Sequence, residues 1–283
     1  MRSGPPRIFD VHAQALHRAR AARLTGDRFL LREAAEGIAA RLAPVNRTFA
    51  DALAVGGRAA ELLQGVAATW RSGLFDADER LEAGDGGFDL AVSILSLHGM
   101  NDLPGALLQI RRALKPDGLF VAALFGGATL FELRDSFAAG EIEIHGGITP
   151  RVAPFADVRE LGTLLQRAGF ALPVADVERT TVRYREFATL ASDLRRMGET
   201  NALVERQSLS RATLRAALAH YTARHSDADG RLRATFDIVY LTGWAPHESQ
   251  QKPLKPGSAK TRLAEALGTA EHPAGDKADP TRR

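Results

Sequence analysis

FDLAVSILSLHGMNDLPGALLQIRRALKPDGLFVAALFGG (Phe88–Gly127) holds two apolar runs of strand length, Phe88–Leu95 and Leu119–Phe125, on either side of an amphipathic stretch at Leu103–Leu114. Runs that are apolar without alternation belong to strands covered on both faces, and a helix between two of them makes a parallel crossover. Pro104 suits the first turn of that helix. Lys115-Pro116-Asp117-Gly118 reads as the turn into the next strand.

Working outward, FADALAV (Phe49–Val55) is another apolar run. It is closed by Gly56-Gly57, and helical spacing resumes over Arg58–Gln64. Residues 12–42 carry Ala, Leu and Ile at helical spacing, with a break at Gly26-Asp27 and an end at Pro44. Downstream, residues 128–153 lack a clear period. Helices are expected over Asp157–Ala168, Glu186–Met197 and Arg211–His225, with strands over Ala171–Tyr184 and Arg233–Trp244. The fold class is therefore α/β, with a mostly parallel sheet and an antiparallel edge. The division expected is a helical N-terminal extension over 1–44, the α/β domain over 45–250 and a basic, disordered tail over 251–283.

Composition narrows the function. The 283 residues are 45% hydrophobic and 25% charged, the balance of a globular chain. With no cysteine, disulfides, thiolate metal sites and a cysteine nucleophile are excluded. The net charge of +3 gives no argument for nucleic acid, and no run approaches the ~18 apolar residues of a membrane span. Only five of the 37 basic residues are lysine, a bias that fits GC-rich coding. His12 with His17, and His220 with His225, lack metalloprotease spacing and read as surface histidines, so no metal set is expected.

In open α/β sheets ligands bind beyond the carboxyl ends of the strands. Gly56-Gly57, Ser96–Asp102 and Phe125–Thr129 fall there. The glycine pair allows backbone approach to a ligand, or is a plain tight turn. Asn101 and Asp102 line a site or cap the following helix. His98 has no such structural role in view, so its replacement by alanine is expected to spare stability.

These residues resemble a family. Phe88–Arg134 is similar to the later half of class I S-adenosylmethionine-dependent methyltransferases. Within that family it resembles respiratory complex I assembly factor 5 and its bacterial relatives. The resemblance continues through GGITPRVAPF (Gly146–Phe155), MGETNAL (Met197–Leu203) and TFDIVYLTGWAPHESQ (Thr235–Gln250). It implies a Rossmann-like methyltransferase fold, S-adenosyl-L-methionine (SAM) as cofactor and a protein partner, an NADH dehydrogenase subunit. Either methylation or arginine hydroxylation is implied as the reaction. Gly56, Gly57, Asp78, Glu79, Ser96 and His98 would face the cofactor; Asn101, Asp102, Gly126 and Gly127 would wall the substrate pocket. A family-like start at Ile8 leaves little room for a transit peptide, so a bacterial cytoplasmic location is expected ahead of the mitochondrial matrix.

Two departures bear on the cofactor. Ala54 stands where the family places an acid before its glycine turn, and that turn is cut to one glycine pair. Only 22 residues separate Gly56 from Asp78. The second strand with its ribose acid, or the helix joining it to a third, is thus expected to be missing. Asp76 or Asp78 then serves the ribose by spacing, Asp78-Glu79 the adenine by resemblance, or all of them simply solvate a loop. Two unmet polar contacts at ~1–3 kcal/mol each would weaken SAM binding by about 2–6 kcal/mol. A non-catalytic assembly factor with a degenerate cofactor site is the alternative to an enzyme.

Overall fold

The buried strand pair read from Phe88–Gly127 is the centre of a six-stranded sheet. In the computed structural model, residues 7–251, 268 and 269 are described. The chain as far as His247 forms one compact unit, and a second begins at Glu248. The disordered-tail expectation falls, but for Gln251, Gly268 and Thr269, outside the described residues.

The elements run α1 (Val11–Ala22), α2 (Phe29–Leu42), β1 (Phe49–Val55), α3 (Ala59–Leu62), β2 (Ala67–Gly73), β3 (Phe88–Ile94), α4 (Leu103–Ala113) and β4 (Leu114–Phe125). There follow α5 (Phe131–His145), α6 (Val158–Arg167), β5 (Ala171–Tyr184), α7 (Phe187–Met197), α8 (Arg211–His225) and β6 (Leu232–Trp244). The strand order is β2-β1-β3-β4-β6-β5. β2, β1, β3 and β4 pair in parallel, while β6 pairs antiparallel to both β4 and β5. The mixed sheet with an antiparallel edge is as expected.

Alternate strand residues feed two cores, as the strand period of two requires. On one face Leu90, Ile94, Val121, Ala123 and Tyr240 pack with Leu30, Ala34 and Ile38 of α2. On the other Ala91, Phe120, Ala122 and Leu241 pack with Leu107 and Ile110 of α4 and with Leu161 and Leu165 of α6. Fully burying a Leu, Ile or Phe contributes ~1.5–3 kcal/mol, so these paired layers hold the sheet between its helices. α2 is thus one of the covering helices of the sheet.

Local chemistry sets several ends. Asp102 caps α4 by accepting from the Gly105 N–H at 2.8 Å. Asp157 and Glu160 form a reciprocal capping box at α6.

Three local expectations are corrected. Residues 128–153 contain the 15-residue helix α5, hidden by Gly140. That glycine is there for packing: a Cβ on it would lie 2.7 Å from the Ala217 nitrogen of α8. The Lys115–Gly118 turn is instead a bulge within β4, where the register slips between Phe88↔Leu114 and Leu90↔Leu119 and Asp117 takes φ +62°. The helix after the glycine pair, expected over Arg58–Gln64, is only the four residues of α3.

The second strand is present as β2 beside β1. Between Leu74 and Gly87 the chain forms no further helix or strand, only the Phe75–Leu81 bridge.

Candidate functional site

β1, β3 and β4 end on one edge of the sheet, and their following loops meet there. Gly56 and Gly57 have φ +79° and +80°. A Cβ on Gly56 would sit 2.5 Å from Ser96 Oγ. Ser96 Oγ in turn donates to Val55 O at 3.2 Å and bonds Ser93 Oγ at 2.6 Å. The first turn is therefore stitched to the end of β3 through Ser96, and glycine at 56 is required by that approach. Leu95, between the two serines, holds φ +44°, a conformation that costs a leucine roughly 1–2 kcal/mol.

Arg58 extends under this turn. Its guanidinium donates to Leu95 O and to Met197 O, each at 3.0 Å. Its charge lies 3.8 Å from Glu199, and burial holds the guanidinium below its ordinary pKa. Glu199 also bonds His98 Nε2 at 2.9 Å. Burial works against the Glu199 carboxylate, but the charges of His98, Arg58 and Arg18 prevail and hold it below the usual carboxylate range. His98 is 7% exposed at its side chain. Its ring lies 4.9 Å from Phe125 and 5.7 Å from Phe155, and its Nδ1 is buried without a protein partner.

His98 and Glu199 thus form the polar end of a cavity of about 370 Å³ walled by Phe125, Phe155, Leu133 and Phe137. The same cavity is lined by Arg18, Arg151, Arg195 and Arg206, so aromatic faces, one carboxylate and one imidazole stand beside four guanidinium side chains.

The other expected site residues fall in different places. Glu79 is buried and fully used: Oε1 accepts from the Asn101 N–H and Asn101 Nδ2, and Oε2 from the Asp102 N–H. It ties down the loop after β3. Asn101 Oδ1 accepts from the N–H groups of Ile8 and Phe9, so this side chain latches the N-terminal segment. Asp102 is the α4 cap. Gly126 is pressed against β6, where a Cβ would lie 2.6 Å from Val239 Cγ2. A Cβ on Gly127 would meet Phe155 O and Asp157 Cβ at 3.8 Å, an ordinary contact. Asp78 is exposed, 3.7 Å from Arg7.

Sequence reading missed Arg58, Glu199 and the aromatic wall. The signal for Glu199 was its place directly after Gly198, which ends α7 in the left-handed conformation.

A model described as a methyltransferase domain matches residues 12–173. The chain belongs to this methyltransferase-domain family. It is 47% identical over 179 residues to the human protein named arginine-hydroxylase NDUFAF5, mitochondrial, covering 63% of this chain and 52% of that one. The zebrafish (Danio rerio) protein of the same name is 46% identical over 179 residues, 63% of this chain and 56% of its own. A malonyl-[acyl-carrier protein] O-methyltransferase of Xylella fastidiosa is 34% identical over 168 residues, 59% and 55% of the two chains. The chain spans about half the length of the curated relatives it matches. Among solved structures, the YcgJ protein of Bacillus subtilis aligns with TM-score 0.51 at 11% identity, over 75% of this chain and 99% of that one. That likeness shows the fold. No helix among the described residues is long and apolar enough to cross a membrane.

SAM is the cofactor that a methyltransferase domain implies, and the residues fit it unevenly. At its methionine end there is room at Gly57, where the direction a Cβ would take meets nothing nearer than Ser72 Oγ at 3.4 Å, but Ala54 offers no carboxylate and the Arg58 guanidinium is spent on Leu95 O and Met197 O. At the ribose end the fit is poor. β2 finishes at Ser72-Gly73 with Leu74 next, none of them acidic, and the carboxylate-bearing residue brought beside them is Glu82 of the following loop, whose N–H donates to Leu74 O at 3.1 Å. The first acid, Asp76, spends Oδ1 on the N–H groups of Asp78 and Arg80.

Proposed function

We propose that this methyltransferase-family protein binds SAM weakly and takes an arginine side chain of an NADH dehydrogenase subunit into the aromatic cavity. The observation that carries this reading is the pairing of the part-buried Glu199 carboxylate, which faces Arg58 and His98, with walls of Phe125 and Phe155. A guanidinium over aromatic faces gains ~0.5–2 kcal/mol, and the Glu199 carboxylate supplies a counter-charge. The name arginine-hydroxylase carried by the 46–47% identical relatives supports an arginine substrate.

SAM, when bound, supplies an electrophilic methyl group. The chain's own part is positioning. His98 Nε2 and Arg58 orient the Glu199 carboxylate, the phenylalanines exclude water, and Leu95 O is held by Arg58 at the junction of turn and cavity. With such a partner the protein works where the subunit is assembled, in a bacterial cytoplasm or a mitochondrial matrix.

A second reading is favoured by the lack of an acidic residue within β2 at its Ser72-Gly73 end. In it the protein is an assembly factor that binds the same arginine without modifying it. Peptide mass spectrometry of NADH dehydrogenase from wild-type and deletion strains separates the two. The first reading expects one arginine-bearing peptide to lose the mass of a methylene or an oxygen on deletion. Wild type should restore that mass and Glu199→Gln should not. Failed assembly with unchanged peptide masses selects the second reading. Normal assembly with unchanged masses overturns both.

A further inference from the structure

On the far flank of α5 from the cavity wall, two imidazoles converge on one carboxylate oxygen. His225 Nε2 lies 2.7 Å from Asp135 Oδ2, and His220 Nδ1 lies 3.8 Å from the same atom. The three donor atoms all fall within 4.8 Å of one another. This was invisible in the sequence, where the histidines read as surface groups and Asp135 stands 85 residues upstream of His220.

We propose that Asp135, His220 and His225 form a binding site for a divalent transition-metal ion of the zinc class. Zinc–nitrogen and zinc–carboxylate bonds of ~2.0–2.2 Å in a tetrahedron separate the ligand atoms by about 3.3–3.6 Å. The two distances to Asp135 Oδ2, 2.7 and 3.8 Å, bracket that spacing, and the third separation, within 4.8 Å, closes to it by side-chain rotations that move the donor atoms by about 1 Å. Two imidazoles with one carboxylate suit zinc, cobalt or nickel; magnesium and calcium prefer oxygen donors alone.

The scaffold is already fixed. α5 and α8 touch backbone to backbone at Gly140, and Tyr221 of α8 is anchored by its hydroxyl to Arg233 O at 2.7 Å. The His225 ring stands edge-on to Phe131 at 5.8 Å and to Tyr221 at 5.9 Å, which sets its plane. Ser136 Oγ, 3.5 Å from His220 Nδ1, lies beside the same nitrogen. The Asp135 side chain is 56% exposed and His220 28%, so an ion can enter and a fourth position is left to water or another ligand. Occupancy would clamp α8 to α5, whose Leu133 and Phe137 wall the cavity.

The test is calorimetric titration of the full, chelator-treated protein with zinc chloride, repeated with cobalt chloride while visible absorption is recorded. We expect one equivalent of zinc to bind, cobalt to give a tetrahedral d–d spectrum, and magnesium chloride to give no heat. His225→Ala and Asp135→Asn should each weaken zinc binding at least about tenfold, no less than the loss of a group that merely orients a metal ligand. His12→Ala, at an exposed histidine elsewhere, should not. Circular dichroism establishes that each variant is folded. No zinc binding by the wild type, or binding unchanged in folded His225→Ala and Asp135→Asn proteins, overturns the site.

Discussion

Replacing Glu79 by alanine separates a scaffold role from a cofactor role for the one buried acid in the Asp76–Glu79 segment. Its carboxylate accepts three hydrogen bonds: from the Asn101 N–H at 2.8 Å, Asn101 Nδ2 at 2.9 Å and the Asp102 N–H at 2.7 Å. Hydrogen bonds to a charged acceptor contribute ~1.5–3 kcal/mol each, which sums to about 4.5–9 kcal/mol. The donors are only part-buried, and water can enter the space a shortened side chain leaves. The net loss is therefore expected at about 3–5 kcal/mol. At ~2–4 °C per kcal/mol for a chain of this size, Tm should fall by about 6–20 °C. Asp78→Ala, at an exposed neighbour whose ion pair with Arg7 spans 3.7 Å, should change stability by less than about 0.5 kcal/mol. Urea unfolding followed by tryptophan fluorescence gives both free energies, and calorimetry gives SAM affinity on the same samples. A Glu79→Ala protein with unaltered unfolding and abolished SAM binding would refute the reasoning and return Glu79 to the cofactor.

Two further outcomes follow from the site. Gly56→Ala should destabilise by about 2–3 kcal/mol, from its positive φ and from displacing Ser96, whereas Gly65→Ala, at φ +80° with nothing within 4 Å, should cost only about 1–2 kcal/mol; equal losses in chemical denaturation would contradict the stitched turn. Because the Glu199 carboxyl is held below its ordinary value of 4.5, its ionised form adds stability that is present above that value and lost as pH falls through the folded one. His98→Ala removes the main charge responsible, so the stability gap to wild type should narrow as pH falls below about 4.5, and a gap constant over that range in urea unfolding would count against the pairing.

The parallel centre of the fold was legible because Phe88–Ile94 and Leu119–Phe125 are apolar on both faces, and the glycine pair after Val55 marked the ligand edge. α5 was not legible, because Gly140 looks like a helix breaker until α8 is seen against it. β2 was not legible either: AATWRSG at Ala67–Gly73 is half-exposed at the sheet edge and has neither apolar continuity nor alternation. At the site, His98 was found for its position, but its partner lay 101 residues away. The alanine substitution at His98, expected from sequence to spare stability, now removes a packed ring and the counter-charge of Glu199. Asn101 and Glu79 were read as ligand groups because short polar motifs after a strand serve binding and bracing alike; only the hydrogen-bond partners tell them apart.

The sheet ends at β2, and the chain leaves it through Leu74–Gly87, a loop whose Gly84 and Gly86 have open space around them. The row of peptide groups along the outer side of β2 is a docking rail for one more parallel strand. Lengthening a surface loop raises its closure cost only slowly, by ~0.6 kcal/mol per doubling. A strand–helix module spliced between Glu82 and Asp85 could therefore zip onto that rail, with no change to the aromatic cavity across the sheet. The open edge makes this protein a host for modular construction.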